Sequence, residues 1–101
     1  MFMNMTYMQI DPGKLQEFTA ALYGPETDAV YDKFKAMRSG YLLQSMEHPE
    51  KVISVTIMDS TADVAGGSTS SEYAAVFRAI KPFFAAAPSR EVFEVVAEYK
   101  P

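Results

Sequence analysis

The sequence has no cysteine, no tryptophan and a single histidine, His48. Without thiols there is no disulfide framework, no cysteine-ligated zinc cluster and no thiol nucleophile, a usage that suits a reducing cytoplasm. Positive charge is also scarce. Lys and Arg number 9 against 13 Asp and Glu, for a net charge of −4. No basic stripe follows the chain, which argues against nucleic acid and anionic membrane as partners. The carboxylates show no paired arrangement for glycosidase or metal chemistry: Glu91, Glu94 and Glu98 follow one extended run, and Asp28 with Asp32 marks a solvated helix face. Gly66-Gly67 lacks the lysine and spacing of a phosphate-cradling loop. The opening residues Met1 to Met8 are apolar, but they lack a basic start and alternate with polar residues, so they read as a strand rather than a signal peptide or a membrane span.

Apolar residues are what the chain has in surplus. At 101 residues it is expected to be one domain, spanning 1–101, with 49% hydrophobic and 13% aromatic residues. A domain of this size buries only about 60–65% of the surface its unfolded chain exposes. That is little interior for so many apolar side chains, and the excess points to a partner subunit.

Local patterns order the elements. Phe2 to Ile10 alternates as a strand, with Phe2, Asn4, Thr6, Met8 and Ile10 on one face and Met3, Met5, Tyr7 and Gln9 on the other. Asp11-Pro12-Gly13-Lys14 is turn chemistry, and Leu15, Phe18 and Leu22 repeat at helical spacing until Gly24-Pro25 breaks the pattern. A second helical piece follows, with Val30, Phe34 and Met37 on one face and Arg38-Ser39-Gly40 as its close. Tyr41 to Glu47 and Val52 to Met58 predict a hairpin across His48-Pro49-Glu50-Lys51, with the Ile53, Val55, Ile57 face expected to be core. Asp59 to Ser71 reads as a flexible stretch with a short helical turn near Thr61 to Val64. A helix starting at Ser70 or Ser71 carries Tyr73, Phe77, Ile80 and Phe84 as one stripe, with Pro82 bending or ending it. The last strand runs from Glu91 to Tyr99, one face wholly apolar.

The class is therefore α+β, in the ferredoxin-like βαββαβ order: an antiparallel four-stranded sheet with the two helices on one face. Two helices cover one face only. Packing two open sheet faces together is the simplest cover for the other, giving a homodimer.

The order of elements, the Asp11-Pro12-Gly13-Lys14 turn, the strand ending Val55-Thr56-Ile57-Met58-Asp59-Ser60 and the Ser70-Ser71-Glu72-Tyr73 helix start resemble the antibiotic biosynthesis monooxygenase family. The resemblance spans nearly the whole chain. It implies a dimeric α/β barrel with a pocket between sheet and helices in each subunit. It also implies, for some members, oxidation of phenolic or quinol substrates by molecular oxygen with no added cofactor. The chain departs from the family pattern at Met58, where a tryptophan is common, and in having no histidine near the second helix, so haem degradation and a haem ligand are not expected.

Candidate site residues follow from pocket chemistry. Asn4 and Thr6 are polar groups on an apolar strand, placed to hydrogen-bond a substrate oxygen if their face lines the pocket. Arg78 is the one arginine on the last helix and would stabilise a phenolate, unless it is simply a solvated surface residue. The Tyr73 hydroxyl would serve as donor or proton relay, or its ring as core filler. Tyr23 and Tyr31 flank the helix break and are expected at the pocket mouth, and Phe18, Met58, Phe77, Phe83 and Phe84 are the candidate substrate-facing walls, with plain core packing as the alternative. Histidine is the side-chain type whose unperturbed pKa lies near neutrality, but His48 sits in the hairpin loop, as a surface residue would. The expected activity is cofactor-independent monooxygenation of a small aromatic or quinol-type metabolite, with no metal. A non-catalytic binder or stress-associated protein, and a lyase, cyclase or isomerase on the same scaffold, are the alternatives.

Overall fold

Strand β1 (Phe2–Gln9) is the organising element, because it is paired on both edges. The computed structural model describes residues 1–32, 37–59 and 71–101, apart from the side chains at positions 26, 30 and 71–74. β2 (Met37–Gln44), β3 (Lys51–Met58) and β4 (Ser89–Glu94) complete one antiparallel sheet in the order β2-β3-β1-β4. The helices are α1 (Leu15–Leu22), α2 (Pro25–Tyr31) and α3 (Ser71–Ile80). This is the ferredoxin-like arrangement, with its first helix in two pieces. The expected turn near Thr61 to Val64 and the Gly66-Gly67 stretch lie outside the described residues.

The turn after β1 is set by its own chemistry. The Asp11 carboxylate accepts the Gly13 N–H at 2.9 Å, Pro12 opens a single 3-10 turn, and α1 continues from it. The break between α1 and α2 has two causes. Gly24 leaves no room for a Cβ against the Ala20 carbonyl oxygen, and Pro25 cannot donate to the helical ladder. Thr27, buried beneath the junction, donates its hydroxyl toward the Leu22 and Gly24 carbonyls at 2.9 and 3.0 Å, satisfying acceptors that the end of α1 would otherwise orphan.

Four boundaries differ from the sequence expectation. The second helical piece ends at Tyr31, and Met37 to Gly40 belong to β2 rather than to a helix end. Gly40 pairs with Thr56 in the ladder, where a Cβ would lie 3.3 Å from the Tyr23 hydroxyl, so glycine there makes space for a ring and does not cap a helix. β2 then stops at Gln44, since the Ser45 hydroxyl accepts the N–H groups of Glu47 and His48 and turns the chain. The helix stripe through Phe84 is cut by the 3-10 turn Lys81–Phe83, and Phe84 is extended, bridging to Ile10. Finally, β4 ends at Glu94. The Val95 N–H still bonds the Met1 carbonyl at 2.9 Å, but beyond it Val96 and Tyr99 are 90% and 85% exposed.

The face assignment of β3 is reversed from expectation. β1 and β3 pair with Met8 opposite Val52, Thr6 opposite Ser54 and Asn4 opposite Thr56, and this set faces the helices. Met8, Ile10 and Val52 join Phe18, Leu22, Val76 and Ile80 in the core cluster. Ile53, Val55 and Ile57 instead lie on the open face, opposite Tyr7, Met5 and Met3 and beside Tyr41, Leu43 and Phe93. The more apolar row of β3 is therefore the one without helices above it.

Candidate functional site

The period-2 geometry of β1 and β3 puts four neutral polar side chains, Asn4, Thr6, Ser54 and Thr56, in one block on the helix face at the centre of the sheet. They form the floor of a cavity of about 50 Å³. Met8, Leu22, Val76 and Ile80 supply its apolar inner wall, and Tyr31, Phe77 and Phe84 close it. A cavity of this size holds a few waters, whereas benzene occupies an apolar cavity of about 150 Å³. An aromatic ring therefore enters only if the wall moves. Phe77 is the side chain placed to do so: it is 38% exposed and packs at a tilt against Phe84, with ring centroids 5.7 Å apart.

Asn4 is the exceptional member of the floor. It is 7% exposed, and its Oδ1 is buried without a hydrogen-bond partner. An unpaired buried acceptor is costly to keep. Ser54 is held differently. Tyr23, at the end of α1, hydrogen-bonds it from behind, with its ring over Gly40 and 6.2 Å from the Tyr31 ring. Burial raises the Tyr23 pKa while the Ser54 bond lowers it, and the net effect is upward. The phenol is thus neutral throughout the physiological range.

The structure brings Asn4, Thr6, Tyr31, Phe77 and Phe84 together at the cavity and places Arg78, Phe18, Phe83, Met58 and His48 elsewhere. Arg78 is exposed and absent from the wall. Val76 and Ile80 face the core four residues apart, and at about 100° per residue Arg78 between them turns away. Phe18 is 0% exposed and packs edge-on against Phe83 at 5.9 Å, so both serve the layer between α1 and the end of α3. Phe83 also borders an open groove with Asp11, Lys14 and Glu17 on the outer surface. Met58 is buried opposite Phe2 at the end of β3, away from the cavity. Tyr73 lies on α3, and its side chain falls outside the described residues. His48 is exposed in the hairpin loop.

Ser54 and Thr56 were not among the expected site residues. Their signal was present as two hydroxyls at alternate positions of a strand otherwise made of Val, Ile and Met, the same signature that marks Asn4 and Thr6. Among the described residues there is no cluster of three metal-ligating side chains, and no helix is long and apolar enough to cross a membrane.

No protein-family model matches the chain, and no curated protein does. Solved structures do. A protein from Bordetella bronchiseptica that carries the name antibiotic biosynthesis monooxygenase superposes with a TM-score of 0.79 at 15% identity, over 95% of this chain and 97% of that one. A namesake from Caulobacter crescentus gives 0.76 at 17% identity, over 95% and 90%. A variant of SnoaB, a cofactor-independent oxygenase from Streptomyces nogalater, gives 0.73 at 8% identity, over 96% and 94%. The chain shares the fold of the antibiotic biosynthesis monooxygenases across nearly its full length.

Proposed function

We propose that this chain is a cofactor-independent monooxygenase of the antibiotic biosynthesis monooxygenase type, acting on a small aromatic or quinol-type metabolite as a cytoplasmic homodimer. The observation that carries this reading is the Asn4, Thr6, Ser54 and Thr56 floor inside an otherwise apolar cavity, in a fold shared with a protein described as a cofactor-independent oxygenase. In the reaction a ring C–H of the phenolic substrate is oxygenated: one oxygen atom of O₂ enters the product, which leaves at the quinone level, and the other leaves as water with the two hydrogens removed from that C–H and a phenolic O–H. The substrate supplies the electrons. The protein's share is to desolvate the ring, fix its orientation through the polar floor and exclude competing water.

The test is oxygen uptake by metal-free protein against a panel of quinols and polyphenols. Uptake above the uncatalysed rate is expected, and Asn4→Ala is expected to lower it on the order of 10²-fold, as for loss of one well-placed polar group. No uptake, combined with stabilisation by the same compounds, would instead establish a binder. That second reading is favoured by one feature: among the described residues, the cavity wall has no ionisable side chain except Tyr31.

The homodimer reading rests on the open sheet face. Four strands at about 4.8 Å and roughly eight residues at about 3.3 Å each give a surface of about 500 Å² in plan, and its centre is Met3, Met5, Val55, Ile53 and Ile57. Apolar patches of this size mark protein contacts. Sedimentation equilibrium is expected to give a dimer for the wild type and a monomer for the Tyr41→Glu/Leu43→Glu double variant. A monomeric wild type would refute the assembly.

A further inference from the structure

The cavity above the polar floor is too small for the ligand class proposed for it, and the shortfall has a definite size. At about 50 Å³ it falls about 100 Å³ short of the roughly 150 Å³ that accommodates benzene. That difference is of the order of the volume by which a phenylalanine side chain exceeds an alanine. The cavity lacks the room of one ring, and one ring in its wall is placed to give way.

The wall residues differ in how firmly they are held. Met8, Leu22, Val76 and Ile80 belong to the core cluster and are no more than 6% exposed. Tyr31 and Phe84 pack against that cluster. Phe84 is also tied through the backbone: it bridges to Ile10, its N–H bonds the Lys81 carbonyl at 3.1 Å, and the next N–H, of Ala85, bonds the Gln9 carbonyl at 2.7 Å. Among the described residues, Phe77 is the one apolar wall member outside the cluster and its packed margin. It follows Val76 on α3, about 100° further round the helix, which puts it on the flank between core and solvent. A helical phenylalanine has two accessible χ1 wells, near 180° and −60°, so its ring can leave the wall while the helix stays in place.

We propose that Phe77 is the gate of this cavity and its specificity-determining residue: the ring of the ligand takes the place of the Phe77 ring, which swings out to solvent, and one ring is all that the site buries. A second fused ring would have to dislodge a core residue or project past the displaced Phe77 into water. The class so favoured is a single-ring phenol or quinol. This deepens the aromatic-ligand reading given above and rests on it.

The experiment is equilibrium binding of phenol and 1-naphthol at neutral pH, followed by NMR through the methyl shifts of Met8, Thr56 and Val76 and the NOEs between the Phe77 and Phe84 rings. The free wild type is expected to show those ring NOEs, since the centroids are 5.7 Å apart, and saturating phenol is expected to remove them. 1-Naphthol is expected to bind the wild type no more tightly than phenol, because its second ring gains no burial. In Phe77→Ala, phenol is expected to bind about tenfold more tightly, the gain when an open form populated at roughly 10% becomes the only one. There 1-naphthol is expected to surpass phenol by on the order of tenfold, as its second ring fills the vacated place. The NOE measurement needs no variant and decides the displacement by itself. Ring NOEs that persist under saturating phenol, a wild type that prefers 1-naphthol tenfold, or a phenol affinity unchanged in Phe77→Ala would each overturn the inference while leaving a small-aromatic site intact. If neither probe shifts the cavity methyls in either protein, the aromatic-ligand reading itself fails and this inference falls with it.

Discussion

Phe18→Ala is expected to destabilise the protein by about 3–5 kcal/mol, the range for truncating a fully buried phenylalanine. Phe18 is 0% exposed, meets Phe83 edge-on with an interplanar angle of 87°, and lies in the cluster that joins Met8, Ile10 and Val52 of the sheet side to Leu22, Val76 and Ile80 of the helices. Among the described residues it is the largest fully buried side chain. Domains of this size have about 5–15 kcal/mol in total. The variant is therefore expected to be close to unfolding at 25 °C, with a urea midpoint well below that of the wild type. Phe77→Ala, which removes a ring of the same size from a 38% exposed position, serves as the comparison and is expected to cost less than half as much. Equal losses would mean that α1 is not seated on the sheet as described.

Asn4→Leu is expected to act in the opposite direction on stability and to weaken ligand binding at the cavity it lines. The wild-type side chain leaves an acceptor buried and unpaired, a condition that costs about 1–3 kcal/mol. Leucine has nearly the same shape, is at home between Thr6 and Phe2 on the helix face, and removes the unpaired group. A gain of about 1–2 kcal/mol follows, corresponding to a rise in Tm of roughly 5–10 °C for a domain of about 100 residues. The pairing of higher stability with lost binding is what separates a residue kept for a ligand from one kept for the fold. A drop in Tm would show that Oδ1 is satisfied in the native state.

Much of the architecture was legible before the structure. The Asp11-Pro12 turn, the Gly24-Pro25 break, the hairpin loop and the stop at Pro82 all depend on residues with few allowed backbone conformations, and such residues act locally. Where the signal was tertiary the reading slipped. Met37 to Gly40 looked like a helix end because glycine caps helices, but Gly40 serves the packing of Tyr23, which arrives from a different element. The run Glu91 to Tyr99 looked like one strand, yet only its first part pairs with β1, and a strand without a neighbour is not a strand.

The candidate site divides along the same line. Asn4 and Thr6 could be picked out as polar groups on an apolar strand, and the structure brings them to one cavity. Arg78 could not be placed, because its direction depends on the rotation of α3 about its axis, which packing through Val76 and Ile80 decides. Ser54 and Thr56 were passed over because hydrophobicity assigned their face to the outside.

By itself, then, the sequence determined the element order, the turns and the alternation of faces, since each follows from local backbone preferences and side-chain period. Which face of β3 meets the helices was decided only in the tertiary structure. A polar floor makes the helix-side face the less apolar of the two, while an open face rich in Ile and Val mimics a core, and only the pairing with β1 beneath α1 and α3 resolves that ambiguity.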